Sequence, residues 1–185
     1  MYNIPIAPFL NVTFYVVQTF WNIEQGGTPH RGVDLDPSGS ENYPIYSIID
    51  GTVIDKGYTS TAGNYVIIKS NDPQGTATRM LHFRDPVLVD IGDHVYRYQL
   101  IGYEGTTGQS TGVHLHLEMK YMYSSTVWVT SNNRSDYVDP CDWLGFPNVQ
   151  GTAVRCDYSP PLPTRRNNFP WILYINKIRN QYYYE

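Results

Sequence analysis

The stretch from Gly112 to Lys120 constrains the fold of this chain more than any other, because its polar and apolar residues alternate strictly. Side chains two residues apart in a β-strand point to the same face, about 6.8 Å apart along the strand. We therefore expect a strand that packs one face on a core and presents polar side chains on the other. The two faces are His114, His116 and Glu118 on one side and Val113, Leu115 and Leu117 on the other.

Histidines are scarce in this chain, and their spacing is typical of metal ligands. Three of the five histidines and one aspartate fall into two compact pairs, His30 with Asp34 and His114 with His116. Catalytic zinc sites use three protein ligands and leave one position for water, whereas structural sites close with four ligands that are usually rich in cysteine. The chain has only two cysteines, far apart. The pattern therefore favours a catalytic His/Asp/His zinc centre.

Local geometry leaves two arrangements open for His114 and His116. Both imidazoles can bind one metal ion, or one can bind the ion while the other handles its water. The His30/Asp34 pair adds a requirement, because four extended residues span about 13 Å, too far for two donors on one small ion. The backbone must bend between them, and Gly32 is the residue that permits the bend. The alternative for all these residues is a set of ordinary half-buried histidines.

With these motifs the chain resembles the lysostaphin-type (LytM-type) zinc endopeptidases, a family that cuts the peptides of peptidoglycan. The H-x-x-x-D motif of the family corresponds to His30–Asp34. Its H-L-H-hydrophobic-E strand, which follows a Thr-Gly turn, corresponds to His114–Glu118, and its lone histidine after a hydrophobic strand corresponds to His82. The match covers about residues 15 to 147, and further motifs occur in the family's order: Pro44–Tyr46, Asp50–Val53, Gly63–Ile68, Gly92–Val95 and Val138–Pro140.

The resemblance implies a role for each matched residue. The implied zinc ligands, for one Zn²⁺ per chain, are His30, Asp34 and His116. His82 and His114 are implied as the catalytic histidines beside the metal. One of them would act as general base, since an unperturbed imidazole titrates near pH 6.5, and the other would hydrogen-bond the oxyanion or the leaving amine. Which histidine takes which role stays open.

Residues around these positions have less defined roles. Glu118 is either an acceptor behind a ligand imidazole or a solvated carboxylate near the strand end. The fifth histidine, His94, is predicted to face solvent. Residues 56–63 and 120–136 are the predicted determinants of which peptide bond is cut, and Val113 stands where the family usually has proline.

Short strand-like runs separated by Gly, Asn, Asp and Pro make up most of the chain before residue 139. Asp139–Leu144 is expected to form one helical turn, with aspartate as N-cap and proline at the first helical position. The predicted fold is all-β or β-rich, an antiparallel sheet folded around a zinc cleft with a short C-terminal helix. The predicted strands are Phe14–Phe20, Ile45–Ile49, Thr52–Asp55, Tyr65–Lys69, Thr78–His82, Leu100–Glu104, Val113–Lys120 and Thr126–Thr130.

Charge and hydropathy exclude several partners. The formal net charge is −4, and no basic run extends beyond Arg165–Arg166, so nucleic acid is not an expected partner. The sequence contains no run of 18 apolar residues, so no membrane-spanning helix is predicted. The first residues lack the basic region and cleavage site of a secretory signal peptide. An enzyme that acts outside the cell on the wall would then be released by lysis or carried by a virion.

Two segments follow from length and composition, a metalloendopeptidase domain over residues 1–148 and a tail over residues 149–185. The tail contains a Pro-rich linker, residues 158–170, and a short amphipathic helix pattern, Trp171–Arg179. Because so short a helix is not stable alone, we expect its apolar side to dock on the domain, a second subunit or a virion. Cys141 and Cys156 form either one disulfide or two free thiols.

The sequence therefore predicts a zinc-dependent endopeptidase that cleaves peptide cross-links or stems of peptidoglycan, as a phage lysin or a wall hydrolase of the virion tail. The alternative is a non-catalytic module of the same fold that binds cell wall or builds the virion. All five expected site positions are present, which favours the enzyme.

Overall fold

The fold is described by a computed structural model over residues 1–23, 27–37 and 43–159. These residues form mostly β-strands, with one short α-helix, α1 (Pro140–Leu144), and one 3-10 helix (Arg134–Asp136). The strands are β1 (Tyr2–Asn3), β2 (Thr13–Gln18), β3 (Val33–Asp36), β4 (Pro44–Tyr46), β5 (Gly51–Thr59), β6 (Gly63–Lys69), β7 (Thr76–Phe83), β8 (His94–Val95), β9 (Leu100–Tyr103), β10 (Leu115–Tyr121) and β11 (Ala153–Arg155).

Nine of these strands form one large sheet in the order β1-β11-β2-β3-β10-β7-β6-β5-β8, and β4 and β9 form a second, two-stranded sheet. Every pair of neighbours in the large sheet is antiparallel except β1 with β11. The predicted β-rich, antiparallel fold class is thereby confirmed. Within the described ranges, no helix has the length and apolarity that a membrane crossing requires.

Alternation along β10 separates the core from the opposite face of the sheet, as predicted. Leu115, Leu117 and Met119 have no exposed surface and belong to the main hydrophobic cluster. That cluster joins one face of the large sheet to the small sheet and α1, through residues such as Ile45, Ile101 and Leu144. The other face of β10 carries the polar side chains His116, Glu118 and Lys120.

Seven of the eight predicted strands are present, with ends shifted by a few residues. The eighth is wrong, because Thr126–Thr130 forms no strand. Residues 122–133 instead form a loop, here called the cation-held loop. Its carbonyls accept hydrogen bonds from cationic side chains, whereas the carbonyls of a strand accept hydrogen bonds from a partner strand. The contacts are Lys69 Nζ to Tyr123 and Ser125 (2.6 and 2.8 Å), Lys120 Nζ to Val129 (2.5 Å) and Arg31 Nε to Ser131 (2.7 Å).

The helix predicted after residue 139 is confirmed. The Asp139 carboxylate accepts the amide of Cys141 at 2.9 Å, and Pro140 occupies the first turn. Gly145 ends the helix in the left-handed region, with φ of 89°. This C-cap returns the chain toward β11.

Strand β11 lies beyond residue 148, within the predicted tail, and it pairs with β2 in the large sheet. Cys141 and Cys156 are both buried free thiols. The docking helix predicted at Trp171–Arg179 lies outside the described residues, so its docking stays a prediction.

Candidate metal centre

His30, Asp34 and His116 meet on the face of the large sheet opposite the core. Asp34 on β3 lies directly across from His116 on β10, because the two strands pair in that register. His30 reaches the same point from the segment before β3. Its Nε2 lies 3.1 Å from Oδ1 of Asp34 and 3.0 Å from Nδ1 of His116, and that Nδ1 lies 2.8 Å from the same carboxylate oxygen. The three donor atoms form a compact triangle.

This donor triangle fits a tetrahedral zinc ion. Zn²⁺ binds imidazole nitrogen at about 2.0–2.1 Å, so neighbouring donors in a tetrahedral site lie about 3.3 Å apart. The edges of the triangle, 2.8 to 3.1 Å, need only a small expansion to reach that spacing. The three residues are buried, with 6 or 7% of their surface exposed. Two nitrogens and one oxygen match the ligand set of catalytic zinc, which keeps its fourth position for a non-protein ligand.

The ring nitrogens that do not point to the triangle have acceptors of their own, and these acceptors decide which nitrogen is free to bind metal. His30 donates Nδ1–H to the Thr19 carbonyl at 2.8 Å, which leaves Nε2 as the donor to a metal. His116 has the opposite arrangement, because its Nε2 faces Oε1 of Glu118 at 3.4 Å and its Nδ1 faces the triangle. Such outer contacts fix the tautomer and orientation of ligand imidazoles.

Glu118 is a buried carboxylate rather than a solvated one, with 3% of its surface exposed. Besides facing His116, it accepts a hydrogen bond from Nη1 of Arg79 on β7 at 3.3 Å. Burial opposes its ionisation, but His116 and Arg79 outweigh burial and lower the pKa of Glu118. The geometry therefore favours the interpretation of Glu118 as the acceptor behind His116. Arg79 was not predicted, because its contact depends on the register between β7 and β10.

The electrostatics of the triangle suit a cation. Burial opposes ionisation of Asp34, yet hydrogen bonds from His116 and His30 hold its pKa below the ordinary value. In the metal-free chain, burial opposes protonation of His116, but hydrogen bonds to Asp34 and Glu118 raise its pKa to about 9. Because a metal ion binds the deprotonated imidazole nitrogen, metal binding at this site would compete with protonation of His116.

Gly32 brings the two sequence pairs together, although for a reason the sequence does not show. The backbone bends at this residue, as predicted, but without a left-handed φ. A Cβ at Gly32 would lie 2.5 Å from the Leu117 carbonyl oxygen and 2.7 Å from Nε2 of His116. Glycine is required because the bend passes directly against β10 and the ligand imidazole.

His82 and His114 form a second pair of imidazoles beside the triangle. Their ring centroids lie 5.0 Å apart, and the His82 ring lies 6.0 Å from that of His116. Nε2 of His114 lies 3.6 Å from Oδ2 of Asp34. The structure thus brings the four predicted site histidines and Asp34 to one place, while the fifth histidine, His94, is exposed and packs on Tyr96 elsewhere.

Each imidazole of this second pair donates Nδ1–H to a backbone carbonyl. His82 bonds to Thr107 at 2.8 Å, and His114 bonds to Gly112 at 2.9 Å. The pKa of His82 is lowered to about 4, and burial is the largest cause. The neighbouring His116 and His114 contribute to the lowering, while the Thr107 carbonyl opposes it. His82 is therefore neutral at pH 7, with Nε2 as a hydrogen-bond acceptor.

The two segments predicted to select the peptide bond border this site. Arg31, the residue next to His30, holds the cation-held loop through its hydrogen bond to the Ser131 carbonyl. The hairpin between β5 and β6 contacts the turn that holds His82, with the amide of Gln109 bonded to the Thr61 carbonyl at 3.0 Å. Their placement agrees with a role in recognition, and that role stays a prediction.

Comparison with known proteins identifies relatives of this site and fold. The model of the family described as peptidase family M23 matches residues 28–140. The peptidoglycan DD-endopeptidase ShyB of Vibrio cholerae is 44% identical over 92 residues, which cover 49% of this chain and 20% of ShyB. The chain spans about a fifth to a quarter of the length of the first curated relatives it matches.

Solved structures show the same architecture. A zinc containing peptidase from Vibrio cholerae superposes with a TM-score of 0.57 at 30% sequence identity, over 74% of this chain and 38% of that chain. The catalytic domain of the antimicrobial peptidase lysostaphin from Staphylococcus simulans superposes with a TM-score of 0.53 at 28% identity, over 71% of this chain and 90% of that domain.

Proposed function

Because this chain belongs to peptidase family M23, we propose that it is a zinc-dependent endopeptidase that cleaves peptide cross-links or stems of bacterial peptidoglycan. The observation that carries this function is the buried His30/Asp34/His116 triangle with two further imidazoles beside it. A binding or structural module would not need a neutral His82 next to three metal-type donors. The name of ShyB, a peptidoglycan DD-endopeptidase, supports peptidoglycan as the substrate.

In the proposed reaction His30, Asp34 and His116 hold the ion, and Glu118 keeps the His116 ring in the orientation that presents Nδ1. When bound, Zn²⁺ supplies Lewis acidity toward the scissile carbonyl and toward an attacking water. The chain itself supplies two Nε2 atoms for proton transfer, because His82 and His114 each retain the proton on Nδ1 through a carbonyl contact. One takes a proton from the nucleophile, and the other hydrogen-bonds the developing oxyanion or the leaving amine.

The proposed place of action is the cell wall. We extend this to a lysin or virion component of a bacteriophage because the sequence after the linker carries an apolar stripe suited to docking, Trp171, Ile172, Ile175 and Ile178. The protein would then be found on purified particles by mass spectrometry. Its presence only in the soluble fraction of a lysate would contradict the virion role and leave the lysin role.

Digestion of purified peptidoglycan tests the activity. Walls with glycine cross-bridges and walls with direct stem-to-stem cross-links would be digested separately, and the fragments identified by mass spectrometry. We expect new amino termini from one wall type, and none from Asp34→Ala as the matched control. Wall binding without new amino termini would identify the chain as the non-catalytic alternative.

A further inference from the structure

Thr107 occupies the centre of the contacts that hold His82. Its carbonyl accepts Nδ1–H of His82 at 2.8 Å. Its hydroxyl donates to the carbonyl of Phe83, the residue after His82, at 2.7 Å and accepts a hydrogen bond from the amide of Asn64 at 3.0 Å. One residue therefore ties the ring of His82, the backbone that follows it and the neighbouring strand β6.

The backbone of His82 needs this support. His82 has φ of 67°, in the left-handed region that non-glycine residues seldom adopt. The conformation interrupts the regular pairing of β6 with β7, whose register shifts between Asn64 and Val66. The amide of His82 turns to the Ala62 carbonyl at 3.0 Å instead of the strand ladder. A residue in such a conformation persists only where its surroundings determine it, and it is often found at functional sites.

The turn that carries Thr107 is locked to the hairpin that carries Ala62. Gly63 and Gly108 both have positive φ, 63° and 79°, and a Cβ on either would overlap the other segment. At Gly63 the overlap is with the carbonyl and hydroxyl oxygens of Thr107 itself. Hairpin and turn thus form one unit, and Thr107 is the member of that unit that reaches the His82 ring.

We propose that Thr107 is a positioning residue of the reaction, whose hydroxyl fixes its own carbonyl so that His82 holds its proton on Nδ1 and presents Nε2 to the metal centre. This inference rests on the proposed function, since it assigns a role relative to His82. Without the hydroxyl, the turn is no longer attached to Phe83 or Asn64, and the His82 ring can rotate. A misplacement of about 1 Å at a reacting group can cost about 100-fold in rate.

The test compares Thr107→Val, which removes the hydroxyl at constant volume, with Thr107→Ser, which keeps it. Thr106→Val is the matched control, because Thr106 is exposed and its hydroxyl donates to the Ser110 hydroxyl at 3.1 Å rather than to the residues around His82. On soluble cross-linked muropeptides, Thr107→Val should lower kcat about 10- to 100-fold with zinc content and KM unchanged. Thr107→Ser and Thr106→Val should stay within about threefold of the wild type.

A double variant separates positioning from general damage. In the His82→Ala background, Thr107→Val should lower kcat no further, because residues that act through one another are not additive. An equal additional loss in that background would overturn the inference. Unchanged kcat in Thr107→Val, with His82→Ala inactive, would also overturn it and leave the proposed function intact. Full activity of His82→Ala would instead contradict the proposed function.

A second readout needs no activity. The His82 Nδ1–H resonance, assigned by its absence in His82→Ala, should be protected from exchange in the wild type and in Thr107→Ser and should broaden in Thr107→Val. An unchanged resonance in Thr107→Val would overturn the inference. If Thr107→Val does not fold, Thr107→Ala is judged by the same two criteria.

Discussion

Single residues of the site divide into proposed metal ligands and proposed neighbours of the metal, and metal analysis distinguishes the two. Asp34 and His116 each contribute one donor atom of the triangle. Nε2 of His114 also lies 3.6 Å from the second oxygen of Asp34, so His114 and His116 are the pair whose roles could be exchanged. The distances argue against an exchange, because Nδ1 of His116 lies 2.8 Å from the Asp34 carboxylate and 3.0 Å from Nε2 of His30.

We predict that Asp34→Ala and His116→Ala lose zinc together with activity, whereas His82→Ala and His114→Ala keep close to one zinc per chain. The latter two should lose about 10² to 10⁴ in rate, the usual contribution of a general acid or base. Elemental analysis of the four purified variants checks this. Zinc loss in His114→Ala with retention in His116→Ala would show that the two strand histidines are exchanged.

Glu104 is a residue that the sequence did not single out, and it is a buried carboxylate outside the metal centre. It has no exposed surface, and neither carboxylate oxygen has a hydrogen-bond partner within 3.5 Å. Burial, together with a smaller contribution from the negative charge of Asp36, raises the pKa of Glu104 from 4.5 to about 9. The folded chain therefore holds Glu104 protonated at neutral pH.

The raised pKa of Glu104 makes the stability of the fold depend on pH. Between pH 4.5 and 9 the unfolded chain ionises Glu104 while the folded chain keeps the proton, so the residue destabilises the fold increasingly as pH rises. The difference in unfolding free energy between Glu104→Gln and the wild type should therefore increase from pH 5 to pH 8 in favour of the variant. The increase should be at most about 4 kcal/mol. Urea unfolding at both pH values measures the difference, in which groups common to both proteins cancel. A gain that is equal at both pH values would contradict the predicted protonation, and Asp85→Asn, at an exposed carboxylate, should show no such trend.

At the scale of elements, the cation-held loop shows how a local pattern is overruled. Thr126–Thr130 has the residues of a strand, yet it pairs with none of the strands in the described part of the chain. Lys120 instead donates to the Val129 carbonyl and lies 4.1 Å from the ring centroid of Tyr137. Hydrogen bonds from a charged donor contribute about 1.5–3 kcal/mol, which is enough to select this arrangement for a short segment.

Lys120→Met should release the loop while keeping the buried stem of the side chain. We expect a stability loss of about 1–3 kcal/mol and faster amide exchange across residues 122–133, with zinc content unchanged. Hydrogen exchange followed by mass spectrometry measures this directly. Lys56→Met is the control, because the Lys56 ammonium donates to the Val89 carbonyl, remote from the loop, at 2.7 Å. Unaltered exchange in Lys120→Met would mean that other contacts determine the loop.

At the scale of the whole molecule, the described residues continue past the predicted domain end at residue 148 as far as residue 159. Strand β11 belongs to the large sheet, and the rings of Tyr158 and Tyr98 lie 4.1 Å apart between centroids. All proposed site residues lie before residue 120. We therefore expect the remaining 26 residues, 160–185, to be dispensable for the chemistry; their sequence carries the apolar stripe of the predicted docking helix.

A chain truncated after Ser159 should hydrolyse soluble muropeptides at the rate of the full chain. It should differ in oligomeric state or in attachment to a larger particle, because the stripe Trp171, Ile172, Ile175 and Ile178 is removed. Light scattering after size exclusion, and sedimentation with particles, measure these properties. Identical assembly, solubility and stability in the two forms would show that the tail docks on nothing.

Alternation and spacing in the sequence were sufficient to predict most of the sheet, because the face of a strand is a local property that repeats every two residues. They placed Leu115 and Leu117 in the core and His116 on the opposite face. Spacing also selected His30, Asp34, His114 and His116, since ligand pairs such as His30/Asp34 are short-range, and the family resemblance added His82. The tertiary structure brings those positions to one place, and the family match over residues 28–140 includes all of them.

What only the tertiary structure decided depends on contacts between residues far apart in the chain. Arg79 meets Glu118 through the register of β7 with β10, and Thr107 meets His82 through the close approach of two glycines. Which nitrogen of each imidazole faces the metal follows from those acceptors, not from residue type. Burial of Glu104 is likewise invisible in a local pattern. Register, tautomer and desolvation are properties of packed neighbours, so the sequence determined which residues form the site and the fold determined their chemical state.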